Sequence, residues 1–300
     1  MSKRKKEKKQ SARVDNSHAP KNNNKIFLVI FFIAITIIAV STWNMFRIYN
    51  DYRESDELYQ SASQNFTTTK PPTLYIPLYK TQDSDTEEGS PTPSENGTEI
   101  IAEEPQWYDT LEIDFQGLQE VNPEVKAWIF FENEEISYPV LYSGDNEKYL
   151  KKGYNGKNTA AGSIFIDGRN TPDFSDAYTL IYGHNMQNLS MFGRLKYYMR
   201  NKEYYPDHMY FQIFTPDRVY RYRIFAYEEV SANDEQIYAI YRNNDDTFQG
   251  LVYKICRSSQ IEPNLDDAYE KTRITALSTC TTAGKRFIVC GLLVDEHLID

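Results

Sequence analysis

Residues 26–43 read IFLVIFFIAITIIAVSTW and contain no charged side chain. As a helix rising ~1.5 Å per residue, this run spans roughly 27 Å, close to the hydrocarbon core of one bilayer. Residues 1–25 carry nine Lys/Arg against two Asp/Glu. With a net charge of −10 overall, the rest of the chain is strongly acidic. A basic end on an acidic chain suits nucleic acid, but here the basic residues crowd one flank of the apolar run, and Trp43 sits at its other end as an interfacial aromatic. By the positive-inside rule, residues 1–25 form a cytoplasmic tail and everything after Trp43 lies outside the cell. We therefore expect a transmembrane signal anchor over residues 26–46, with the lipid bilayer as a partner and no nucleic acid. A cleaved secretory signal is the alternative, with Ala39-Val40-Ser41 as a weak cleavage site. The run is long for a signal, and either reading exports the bulk of the chain.

Residues 47–106 read as an extracellular stalk or linker. Its stretch from Thr81 to Glu104, TQDSDTEEGSPTPSENGTEIIAEE, is acidic and rich in Ser, Thr, Pro and Gly. It has too little apolar surface to offset the entropy of ordering, so the stalk is expected to be largely disordered. From Trp107 the texture changes to short β-rich runs: AWIFF (127–131), ISYPVLY (136–142), GSIFIDG (162–168), YTLIYGH (178–184), HMYFQIF (208–214), RVYRYRIFAYEEV (218–230), ITALSTC (274–280) and RFIVCGLLV (286–294). Turn residues bound them, as at Thr215-Pro216-Asp217, which reads as a hairpin. Eight short strands predict a mainly β domain over 107–300, either a closed barrel or a sandwich. Peripheral helices interrupt the pattern. One follows Ser190, with Phe192, Leu195 and Met199 along one face. Another starts near Asp246 as N-cap with Gln249 as its capping-box partner. Phe248, Leu251, Val252 and Ile255 fall on its apolar stripe, and Cys256 lies at the edge of that stripe.

Three cysteines are an odd number for an exported chain. Their spacing fits no disulfide framework, CxxC pair or Cys/His zinc cluster, so no metal or cofactor is expected. At least one thiol stays free or pairs with another chain. Cys256 reads as core, and Cys290, in FIVCGLL, reads as a small hydrophobe in a buried strand. Cys280 differs: Ser278, Thr279, Thr281 and Thr282 surround it with hydroxyls. Arg286 follows six residues on, across a segment that Ala283-Gly284 can turn, so two antiparallel strands would bring Arg286 near Cys280. Among the histidines, His18 falls on the cytoplasmic side, His297 in the last turn, and His208 after a Pro-Asp turn as a structural residue. His184 ends a strand and opens a loop, a place from which an imidazole can face a barrel rim. Thiol, imidazole and guanidinium together would suit acyl transfer. The thiolate attacks, the histidine protonates the leaving amine, and the arginine with a backbone N–H holds the oxyanion.

Leu277-Ser278-Thr279-Cys280, followed by a strand starting at Arg286, resembles the cysteine motif of sortases, the transpeptidases of Gram-positive cell surfaces. Tyr182-Gly183-His184-Asn185-Met186 resembles their histidine motif, and the order His, Cys, Arg agrees. Other stretches are similar to class B members in particular: Asn122-Pro123 through Trp128-Ile129, Tyr138-Pro139-Val140, Asp145-Asn146 with Tyr149-Leu150, Gly162-Ser163-Ile164-Phe165, and Met191-Phe192-Gly193. So does the helix near 246–257 between the last strands. The resemblance covers roughly 110–294. It implies a closed eight-stranded sortase-like β-barrel with peripheral helices, preceded by one transmembrane helix.

The resemblance further implies that Cys280 attacks the peptide bond in a C-terminal sorting motif of surface proteins and holds the acyl group as a thioester. The acyl group then passes to an amine on a peptidoglycan precursor or a pilin. His184 would be the general acid/base. Arg286 would position substrate and help hold the oxyanion, with the N–H of Thr281 as second donor. Asn146, Leu150, Ser278 and Thr279 would line the substrate groove, with residues around Tyr238 as another wall. Two departures stand out. Ala276 replaces a usual Thr, and the Cys-to-Arg hairpin is short. Alternation puts Arg286 on one face with Ile288 and Cys290, so a Cys290 inside the barrel would force Arg286 to lean over the rim. Two rivals remain at this point. One is another exported cysteine peptidase or transpeptidase acting on peptidoglycan, and the other is a non-enzymatic stalked adhesin or sensor.

Overall fold

The computed structural model describes residues 24–69, 106–263, 273–281 and 284–299. The chain divides into two units, Met1–Asn50 and Asp51–Asp300. In the first, helix α1 (Asn24–Phe66) begins, and its side chains from Ile26 to Tyr49 are largely exposed. Among the described residues this is the one helix long and apolar enough to cross a membrane.

The second unit starts on the same helix, and here the expected stalk needs correcting. Residues 51–66 remain helical, then β1 (Thr67–Thr69) pairs antiparallel with β2 (Leu111–Ile113). Ser55, Tyr59 and Ala62 are buried, with Tyr52, Leu58 and Phe66 packed beside them against the core. These positions recur at helical spacing, an amphipathic stripe that acidic neighbours hide when composition is read alone. The folded unit thus begins well before residue 107. The Thr81–Glu104 segment lies outside the described residues.

After α2 (Phe115–Val121), capped by Asp114 accepting from Gly117 N–H, the barrel strands follow. They are β3 (Val125–Phe131), β4 (Ser137–Leu141), β5 (Ile164–Ile166), β6 (Tyr178–Tyr182), β7 (Tyr210–Phe214), β8 (Arg218–Ser231), β9 (Ile274–Cys280) and β10 (Lys285–Leu298). Each falls on one of the eight runs read from the sequence. They close in the order β10-β8-β7-β3-β4-β5-β6-β9. Pairing is antiparallel except for β4 with β5 and β6 with β9. Closure removes free sheet edges. The hairpin at Thr215–Asp217 joins β7 to β8, with Thr215 N–H donating to the Arg218 carbonyl at 2.8 Å.

Two smaller expectations shift. The stretch after Ser190 is a 3-10 turn (Gly193–Leu195) and a single short helix, α3 (Lys196–Arg200), with Phe192 and Leu195 buried. Helix α4 (Asp246–Ser258) is capped by Asp245, one residue earlier than predicted, whose carboxylate accepts from Thr247 and Phe248 N–H at 3.0 and 3.1 Å. Gln249 bonds Asn244 instead of closing a capping box.

The two faces of β9 and β10 serve different cores. Leu277, Phe287 and Val289 belong to the larger cluster, shared with β3, β4 and β7. Ala276, Ile288 and Cys290 belong to the other, closed by Phe248, Leu251, Val252 and Ile255 of α4. Cys290 is fully buried as expected, but on the face beneath α4 and not inside the barrel. Arg286 shares that face and has no rim to cross.

Candidate active site

Cys280 is the last residue of β9 and Arg286 the second of β10, and the two are direct cross-strand partners. Facing residues on neighbouring strands put their Cβ atoms within a side chain's reach. Arg286 uses it, its Nη1 bonding to Cys280 Sγ. The short hairpin therefore brings thiol and guanidinium together. Gly284, at φ +77°, takes the left-handed turn that a side chain would oppose. Cys280 is the exposed cysteine of the three. Burial pushes the Cys256 thiol up to about 11 and that of Cys290 well above the ordinary range, so both are inert at neutral pH.

The parallel pairing of β6 with β9 sets Tyr182 beside Ser278, and Gly183 N–H donates to the Ser278 carbonyl at 3.2 Å. His184 follows at once, at the mouth of the loop. Its Nε2 lies 2.7 Å from the Leu150 carbonyl. A carbonyl only accepts, so Nε2 carries hydrogen and Nδ1 is the nitrogen left to exchange a proton. Asn185, next in the chain, donates from Nδ2 to the Cys280 carbonyl at 2.7 Å, tying the histidine loop to the cysteine strand end.

A groove of about 280 Å³ opens here. Its lining includes Asn146, Leu150, Ser163, Phe165, Tyr182, His184, Tyr238, Ser278, Thr279, Cys280 and Arg286. Every site residue read from the sequence is brought together except Thr281. That residue is absent from the lining, and its N–H donates to the Lys285 carbonyl at 3.3 Å across the hairpin. Asn146 uses Oδ1 to accept from Gly168 N–H at 2.7 Å. Thr279 is buried, and among the described residues its Oγ1 has no hydrogen-bond partner. The other two described histidines are committed elsewhere: His208 Nδ1 bonds the Tyr204 carbonyl, and His297 stacks on Tyr108. Among the described residues no group of three or more His, Cys, Asp or Glu side chains could hold a metal.

Tyr238 proves to be a wall of the groove, on the connection between β8 and α4. Its hydroxyl pairs with Ser278 Oγ at 3.1 Å and its ring stacks on Tyr182. Arg169 reaches its carbonyl while also pairing with Asp167, whose carboxylate accepts the Tyr182 hydroxyl at 2.8 Å. Burial opposes ionisation of Asp167, but bonds from Arg169 and Tyr182 prevail and hold its carboxyl below the ordinary value. Burial pushes the Tyr238 hydroxyl up to about 12, so it stays protonated as a donor. Sequence reasoning missed Asn185, Asp167 and Arg169. Only the triplet Asp167-Gly168-Arg169 after a β-run hinted at the last two.

Gly183 is needed for packing. A Cβ there would sit 2.5 Å from the Phe192 ring. Gly183→Ala is expected to cost about 1–3 kcal/mol through overpacking, read as a lowered melting temperature, and to displace the neighbouring His184. An unchanged melting temperature would show that Phe192 yields freely.

The sortase domain family matches residues 132–294, over half the chain. Sortase B of Listeria monocytogenes is 35% identical over 187 residues, 61% of this chain and 75% of the relative. Among solved structures, Bacillus anthracis sortase B superposes with a TM-score of 0.62 at 23% identity, covering 82% of this chain and 99% of that one, and so speaks for the fold. A Staphylococcus aureus sortase B–substrate complex matches at 26% identity and a TM-score of 0.55, over 60% of this chain and 84% of that one. The family match runs from β4 into β10, the stretch that also builds the groove. The chain therefore belongs to the sortase family, with class B sortases as its relatives, and is a cysteine transpeptidase.

Proposed function

We propose that this transpeptidase is held in the cell membrane by a span over residues 26–46, with its N-terminus cytoplasmic and the unit from Asp51 outside. It cleaves a C-terminal sorting signal of exported surface proteins and transfers them to a peptidoglycan or pilin amine. Cys280 attacks the scissile carbonyl and forms a thioester, and His184 protonates the departing amine. Arg286 lies against the tetrahedral oxyanion. The incoming amine then loses a proton to His184, attacks the thioester carbonyl and releases the Cys280 thiolate. The sorting peptide runs past Asn146, Leu150, Ser278 and Thr279.

The observation that carries this reading is the cross-strand contact of Arg286 with the exposed Cys280 at the floor of a groove that His184 lines. A guanidinium stays cationic and offers forked donors, which suits an oxyanion formed beside the sulfur. The apolar helix and its basic N-terminal flank support the membrane orientation. The test is to incubate the full chain in detergent with a panel of sorting-motif peptides and a primary amine, following products by mass spectrometry. Cleavage with amide ligation is expected for at least one peptide. No cleavage of any would sink the proposal.

A further inference from the structure

Within the unit from Asp51, the last turns of α1 pack behind the groove wall. Tyr59 of α1 is buried and its hydroxyl donates to the Gly162 carbonyl. The same oxygen lies 3.1 Å from Ser163 Oγ, whose proton goes to the Lys152 carbonyl at 2.7 Å. Gly162 is the point against which His184 rests. Built as any other residue, it would place a Cβ 3.0 Å from His184 Cδ2 and 2.7 Å from the Leu150 carbonyl oxygen, at a φ of +57°. That carbonyl is the acceptor for His184 Nε2. Ser163 N–H in turn donates to the Tyr149 carbonyl at 2.9 Å, a backbone bond that ties the 149–150 segment to 162–163.

A second limb runs to the other end of the histidine loop. The Tyr59 ring packs edge-on against Tyr138, whose hydroxyl accepts from Met191 N–H at 3.2 Å. Asp56, one turn earlier on α1, accepts from Asn188 Nδ2 at 2.9 Å. Between them Leu189 and Met191 hold φ of 71° and 53°, conformations that persist only when their surroundings enforce them.

We propose that Tyr59 is a positioning residue for His184, so that the membrane-proximal helix completes the catalytic site; this rests on the role given to His184 above. Its effect passes through Gly162 and the Leu150 carbonyl, and no contact with substrate is required.

The test uses the full chain in detergent, labelled with 13Cε1-histidine. Tyr59→Phe keeps the ring and removes the hydroxyl. It is expected to lower kcat about tenfold while KM for the sorting peptide changes less than about twofold, the signature of a misplaced group. The His184 signal and its titration midpoint are expected to shift, with those of His208 and His297 unmoved. Ser163→Ala leaves the helix intact and removes one oxygen from the same contact. It is expected to shift the His184 signal in the same direction by less, and it serves if Tyr59→Phe does not fold. An unmoved His184 signal in the folded variants overturns the assignment. If the wild type ligates no peptide, the proposed function fails, while the His184 signal still decides the brace.

Discussion

Cys280→Ala is expected to abolish transpeptidation, lowering turnover by about 10⁴-fold or more while the protein folds as before. The reaction needs an atom that carries the acyl group between donor and acceptor. Of the three thiols, two are sealed in the cluster beneath α4, where burial holds them protonated. Cys280 alone is exposed, and it alone has a guanidinium against its sulfur. Because the side chain packs against no core residue, its truncation is expected to change stability by less than about 0.5 kcal/mol. Intact-mass spectrometry after mixing with a sorting peptide is expected to find an acyl adduct on the wild type and none on the variant. An adduct on Cys256 or Cys290, or ligation by the variant, would refute this.

What the sequence disclosed and what it hid have the same physical cause. The eight barrel strands were legible because each is a short β-rich run cut by turn residues, and Cys280 was legible because hydroxyls surround it. Arg286 was harder. Its alternation with Cys290 was correct, but alternation says only that two residues share a face. Whether that face is the barrel interior depends on α4, which comes from another part of the chain. The helical stripe of Ser55, Tyr59 and Ala62 was hidden by the acidic residues between them and by its continuity with the long apolar run of α1. Thr281 was read as a backbone donor from its place after Cys280, and what the sequence did not disclose is that its N–H faces the Lys285 carbonyl across the hairpin. Asn185, Asp167 and Arg169 bind groups distant in sequence, which no local pattern records.

His184→Gln is expected to reduce kcat by about 10²–10⁴-fold, with far less effect on peptide binding. The substitution is chosen from the geometry. In the folded chain Nε2–H of His184 is directed at the Leu150 carbonyl, 2.7 Å away. A glutamine amide can still donate to that oxygen and fill the same space against Gly162. It offers no nitrogen that exchanges a proton near neutral pH. The variant therefore separates orientation, which it retains, from proton transfer, which it loses. Its pH–rate profile is expected to lack the limb contributed by the imidazole, while single-turnover acylation slows because the leaving amine departs unprotonated. Arg286 cannot compensate, since a guanidinium holds its proton throughout the working range. If the leaving amine is replaced by a better leaving group such as a thiolate, which needs no proton, the gap between variant and wild type is expected to narrow in acylation. A variant within about twofold of wild type on the amide substrate would remove His184 from the proton path and leave it a structural partner of Leu150.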